Sequence, residues 1–244
     1  MMQALGFILL LYFYIAIAVF IVFSVIKLVR WTLSPKGKDG TFFGFKNLFV
    51  YPGQTSNLKA LKNILSRILL FSSMKRDPKT RVLSLTFHWS LWIILAAHLD
   101  LILEPKLVAM GIPFSTIKLL STDVGTTLAM VLVISGLLLI YRRASDKYLS
   151  YISNYLDYVL ISYIVVIGIS GLTMRLLIPD TFAYNTVSPF IYSLFTLKPD
   201  PVPIQIVFDV HFFLGSTLAL IFPFTKLFHP FSFFTNPTLY SVMR

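Results

Sequence analysis

Five stretches of this chain, roughly residues 4–29, 83–103, 122–141, 157–178 and 206–228, are each long and apolar enough to cross a bilayer as a helix. That feature narrows the possible folds at once. Inside lipid the backbone finds no water, so only helices or closed barrels satisfy its N–H and C=O groups. The runs lack the period of two that barrel strands need. Hydrophobic residues make up 57% of the 244, charged residues only 13%, and the mean hydropathy is +0.80. A soluble core of this size could not hide so much apolar surface. The expected fold is an all-α integral membrane protein, a five-transmembrane-helix bundle forming a single membrane domain over 1–244. Residues 4–26 exceed the core of a signal peptide, and no small-residue cleavage site follows, so they are read as a span. Residues 182–197 are apolar but interrupted by Pro189, and are expected to form an interfacial or re-entrant piece rather than a sixth span.

The net charge of +11 sits between the apolar runs, where membrane topology uses it, and not on a polar, aromatic-rich face as in a nucleic-acid reader. Of the 21 Lys and Arg, 17 fall on one side of the expected topology, 12 of them from Lys27 to Arg81. Lys106, Lys118, Arg175 and Lys198 fall on the other. The positive-inside rule then places the N-terminus outside, the C-terminus in the cytoplasm, and the chain in the cytoplasmic (inner) membrane. The connection 31–82 is cytoplasmic in this topology. Within it Leu58, Leu61, Ile64, Leu65, Ile68 and Leu69 recur at helical spacing beside Lys59, Lys62 and Arg67. They predict a basic amphipathic helix along the inner leaflet, or a docking surface for a cytoplasmic partner. The chain has no cysteine, which excludes disulfides, thiolate-held iron–sulfur clusters and covalent c-type haem.

The chemistry rests on four histidines: His88 and His98 on the second span, His211 and His229 bracketing the fifth. Ionisable groups inside a membrane are expensive and usually mark function. One such histidine could simply bond two helices together; two pairs on two helices, with none in the loops, suggest more. Eighteen positions return a helix to the same face, whereas ten leave two residues about 80° apart, and the axial separations are about 27 Å and 15 Å. These do not match, and relative tilt or a kink at Pro223 is expected to absorb part of the difference. The topology pairs His98 with His211 toward the outside and His88 with His229 toward the cytoplasm. Neutral imidazoles on facing helices can hold haem iron from both sides. The expected cofactors are therefore two b-type haems, stacked as an electron path. Zinc fits less well, because the ligands divide into two levels.

The stretch HFFLGSTLALIFPFTKLFH from His211 resembles the last span of the gamma subunit of membrane-bound respiratory nitrate reductase, where two haem-ligating histidines bracket a Gly and a Pro-Phe with this spacing. HWSLWIILAAH from His88 is similar to the other ligand pair, and SGLLLIYRR from Ser135 and SNYLDYVLISYIVVIGISGLTMR from Ser153 extend the resemblance over the second to fifth spans. The resemblance implies a respiratory oxidoreductase subunit. It would oxidise quinol near the outer side and pass electrons through the outer and then the inner haem to a cytoplasmic iron–sulfur and catalytic partner. It also implies that Lys118 is the approximate counterpart of a lysine near the outer haem and quinol. The long 31–82 connection and GLTMR, with its Arg175, resemble more closely the related cytochrome subunits of heterodisulfide reductases and sulfite-reductase-associated complexes.

Quinol oxidation releases protons, so Asp100, just beyond His98, and Asp123, at the start of the third span, are candidate acceptors; helix capping is the plainer role for Asp123. Capping is also expected of Asp157. Arg175 either balances a haem propionate or snorkels at a helix end. Gly215, four residues after His211, could give haem room for close approach. The competing functions are a proton-relay transporter, which would place acidic partners within the spans, and a haem-free membrane anchor whose histidines only bond helices together.

Overall fold

With no water available to the backbone inside a bilayer, the apolar runs close their own hydrogen bonds as helices. The structure, a computed structural model, describes residues 2–33 and 57–231; the cations at Lys36, Lys38, Lys46 and Arg244 lie outside the described residues. In chain order the helices are α1 (Met2–Leu33), α2 (Asn57–Leu70), α3 (Pro78–Ala97), α4 (Asp100–Ala109), α5 (Phe114–Lys118), α6 (Gly125–Ser145), α7 (Lys147–Ile152), α8 (Tyr155–Leu177), α9 (Asp180–Phe182), α10 (Ser188–Phe195) and α11 (Ile206–Ile221). No strand occurs among the described residues. Five helical segments are long and apolar enough to span a membrane: Ala4–Trp31, Pro78–Leu103, Ser115–Ser145, Tyr155–Leu177 and Ile206–Phe224. The protein is a multi-pass, all-helical membrane protein.

Several boundaries differ from expectation, each for a local reason. The second span starts at Pro78, because Asp77 caps it: its Oδ1 accepts from Thr80 N at 3.1 Å and Oδ2 from the Thr80 hydroxyl. At its far end α3 stops one residue before His98, and α4 resumes at Asp100. Gly111, at φ 88, ends α4 in the left-handed turn that favours glycine. The third span begins early, at α5. It runs through a π-helical turn (Leu119–Val124) into α6, so Asp123 lies within a continuous helical segment rather than capping it. Pro189 does not interrupt the 182–197 piece. It comes just after the π-helical turn Ala183–Val187, whose altered backbone bonding accommodates its missing N–H within a continuous helical segment. The fifth span leaves the α-helix at Ile221 and continues as 3₁₀ turns, Phe222–Phe224 and Lys226–Phe228, separated by an extended Thr225. Pro223 therefore ends the α-helix rather than bending it, and the whole-turn relation between His211 and His229 does not hold.

The chain forms two units. The first comprises residues 2–12 and 82–215. Within it α6 and α8 pack through small residues: a Cβ at Gly136 would stand 2.5 Å from Val165 Cγ2 and 3.2 Å from Phe87 Cε2, and one at Gly168 would stand 3.1 Å from Val133 Cγ2. Helices in lipid have little hydrophobic reason to associate, so close backbone approach and dispersion do the work. Leu132, Leu160, Ile164 and Val165 are buried there, while Ile134, Leu137, Val159 and Val166 turn outward. Asn154 and Asp157 close α8 with a capping box, at 3.2 and 3.1 Å, as expected for Asp157. The α10 helix joins α4 through Ser188 Oγ, which donates to Leu101 O at 2.7 Å. It meets α11 through Phe190, whose ring centre is 5.6 Å from that of Phe212.

In the second unit, residues 13–33 and 57–81 with 216–231, Lys27 Nζ donates to Pro223 O at 2.7 Å and lies over the rings of Trp31 and Phe228. One cation thus serves the helix break and is itself shielded by aromatic faces. The Asn57–Leu70 helix carries the apolar stripe noted above.

A methyl at Gly136 should force α6 from α8. Gly136→Ala is expected to cost about 1–3 kcal/mol of stability in detergent, partly recovered by Val165→Ala in the same chain, as read by denaturant titration. Asn154→Ala should cost about 1 kcal/mol by the same measurement, through loss of the α8 cap.

Candidate functional site

An imidazole on a membrane helix has two nitrogens to satisfy, and the four histidines satisfy one of them alike. His98 Nδ1 lies 2.7 Å from Ile94 O, His88 Nδ1 2.7 Å from Ser84 O, and His229 Nδ1 2.9 Å from Lys226 O. A carbonyl can only accept, so each Nδ1 carries the proton and donates it. His211 reaches another helix: its Nδ1 is 2.8 Å from Ser170 Oγ on α8. Ser170 donates its own hydroxyl proton to Ile167 O at 2.8 Å, so its oxygen is left to accept from His211. A neutral imidazole with its proton on Nδ1 carries its lone pair on Nε2, the form that binds a metal.

His98 and His211 come together in the first unit. Their ring centres are 6.1 Å apart, with planes inclined by only 17°. His98 follows the last residue of α3, its N–H still bonded to Ile94 O at 3.1 Å, so it stands on the final turn of that helix. His211 is one and a half turns into α11. Against His211 lies Gly171, where a Cβ would be 3.3 Å from Cε1. Gly215, one turn further along α11, has open space where a Cβ would stand.

The separation can be tested against a metal. Allowing about 2 Å for each imidazole–metal bond and roughly 1 Å from each nitrogen to its ring centre, two imidazoles on opposite sides of one ion have centres about 6 Å apart. The 6.1 Å between the ring centres of His98 and His211 is of that size. Among the described residues no three of His, Asp and Glu converge as a metal site. Iron in a porphyrin needs only two protein ligands, so the donor set of paired imidazoles fits haem better than a bare ion.

His88 is half-buried on α3, with its ring centre 5.9 Å from Trp92 and 5.5 Å from Phe87. Trp89 packs on Trp92 at 5.5 Å. His229 belongs to the second unit and follows the Lys226–Phe228 turn, held by buried Phe228.

The other expected residues are placed less centrally. Lys118 is 48% exposed and pairs with Asp180 at 3.0 Å. Asp180 also faces Arg175 at 3.8 Å, and Arg175 approaches the Thr122 hydroxyl at 3.4 Å. Arg175 thus has a carboxylate partner in the chain. Asp100 opens α4 two residues past His98, with both carboxylate oxygens buried. Asp123 is exposed in the π-helical turn that follows Lys118. Two π-helical turns, Leu119–Val124 and Ala183–Val187, flank the Lys118–Asp180 pair, and such turns often occur at functional positions.

Sequence reasoning missed Ser170, Gly171 and Asp180. The Ser-Gly pair was visible, with Gly168, as small residues on the span, a signal of close approach but not of a partner.

The family described as nitrate reductase gamma subunit matches residues 71–244. The chain is 27% identical to the nitrate reductase gamma chain of Bacillus subtilis, covering 66% of this chain and 76% of the relative. It is 26% identical to the respiratory nitrate reductase 2 gamma chain of Escherichia coli, covering 71% and 81%. Identity is also 26% to the Hdr-like menaquinol oxidoreductase cytochrome b-like subunit of Archaeoglobus fulgidus, over 92% of this chain and 76% of that one. With the match extending from the end of α2 through every later span, this membrane protein belongs to the nitrate reductase gamma subunit family, as a cytochrome b-type subunit of a respiratory oxidoreductase complex.

Proposed function

We propose that this chain is a di-haem b-type cytochrome subunit that oxidises quinol near the outer face of the cytoplasmic membrane and delivers the electrons to an iron–sulfur and catalytic partner in the cytoplasm. The observation that carries the proposal is the His98–His211 pair, 6.1 Å apart with near-parallel rings and both Nδ1 atoms engaged elsewhere. These two residues would hold the outer haem. His88 and His229 hold the inner one; this assignment rests on the sequence pattern and on family membership. Bound b-type haem supplies one-electron exchange between ferric and ferrous iron.

The rest of the work belongs to the chain. The Nδ1 tethers keep each ring in one tautomer and one orientation, so that no ligand must reorganise when charge changes. Lys118, Asp100 and Asp123 form the polar side on which quinol is received. A quinol donor is supported by the archaeal relative, whose name is that of a menaquinol oxidoreductase subunit. The chain has no cysteine for a cluster of its own, so a partner must supply the second half-reaction. The basic helix α2, on the side with most Lys and Arg, is suited to meet that partner or the anionic leaflet beneath it.

A dithionite-reduced minus oxidised spectrum with a pyridine haemochrome assay should give about two b-type haems per chain, falling to about one in His98→Ala and in His211→Ala. A folded chain in well-prepared membranes with no haem would refute the proposal and leave a haem-free anchor or a proton relay. For the topology, a phosphatase reporter inserted after Lys198 should be active in the periplasmic or exterior space and one fused after Arg244 silent. The reverse pattern would invert the assigned direction.

A further inference from the structure

We propose that Ser170 is the positioning residue of His211, its hydroxyl on α8 fixing the tautomer and raising the donor strength of the imidazole on α11, so that this one ligand is tuned from a neighbouring helix. The inference rests on the cytochrome reading above and goes beyond it.

The argument starts from a difference among the histidines. His88 and His98 each donate Nδ1–H to the carbonyl four residues back, and His229 to the carbonyl three back. His211 instead engages a side chain 41 residues away. Ser170 Oγ is 2.8 Å from His211 Nδ1 and 2.8 Å from Ile167 O. Since Ile167 O can only accept, the serine proton is committed to it. The serine oxygen therefore accepts the imidazole proton, and no alternative direction satisfies both contacts. The adjacent Gly171 completes the niche: a Cβ there would stand 3.3 Å from His211 Cε1 and 3.7 Å from Nδ1. Serine supplies the acceptor and glycine the room for the ring to reach it.

An imidazole whose distal N–H is donated is a stronger ligand, and it stabilises the more highly charged metal. With haem held at His211, the hydroxyl would favour the ferric form and so lower its reduction potential. No group in this arrangement has to gain or lose a proton.

The test is redox titration of the full chain in membranes, with low-temperature electron paramagnetic resonance of the low-spin ferric signals. Ser170→Ala should raise the midpoint potential of one haem, shift that haem's ferric signal, and leave the other unmoved. Ser170→Thr, which keeps the hydroxyl, should restore both. Full haem content with both potentials unchanged in Ser170→Ala would overturn the inference while leaving the cytochrome reading intact. Equal shifts of both haems would also overturn it, as general loosening. If Ser170→Ala loses one haem, retention in Ser170→Thr supports the role of the hydroxyl; loss from both variants rejects it in favour of packing. Absence of haem from the unaltered chain would defeat the cytochrome reading itself, before any variant is made.

Discussion

The rest of the site depends on how an imidazole is accommodated where there is no water. A histidine in the apolar part of a membrane must place one N–H on an acceptor and can then offer the other nitrogen to something else. Here three rings use a carbonyl of their own segment, and one uses a serine on the next helix. Everything distinctive about the chemistry follows from that division of labour between Nδ1 and Nε2. The helices provide carbonyls because Ser, Thr and His side chains readily lean back on the preceding turn. Thr86, Ser90, Ser135 and Thr173 do the same in this chain, without a second polar atom left over.

Around that division the fold arranges close approach by omission. At Gly136 a side chain would collide with Val165, and at Gly168 and Gly171 it would crowd a neighbour. The first two let α6 and α8 touch, and the third admits the His211 ring. Charges are treated similarly: Asp180 gathers both Lys118 and Arg175, and Asp157 closes α8 while facing Arg143 at 3.7 Å. These ion pairs match opposite charges at span ends within the chain.

The five spans were legible because twenty consecutive apolar residues admit little else. The histidines stood out because ionisable groups inside a membrane are expensive, and the structure brings one expected pair, His98 and His211, together. Helix ends were less legible. The stop at Ala97 and restart at Asp100, the early start at Phe114 and the change to 3₁₀ turns after Ile221 depend on one or two backbone bonds each. Hydropathy averages such details away. Pro223 was recognised as a disturbance, but a proline can bend a helix or finish it, and neighbouring aromatic packing with Lys27 decides which. The role of Ser170 could not be read, though the residue was visible. Its partner is 41 residues away, and one of two serines on α8 has no periodicity to mark it.

The different origins of the four tethers also bear on how the protein is made. A carbonyl three or four residues back is present as soon as a segment coils, so His88, His98 and His229 acquire their tautomer with local secondary structure alone. His211 must wait until α11, which follows α8 in the chain, docks on it. On the proposed cytochrome reading, His211 would be unready as a ligand until α11 is seated against α8, so cofactor capture at the His98–His211 pair would follow helix docking.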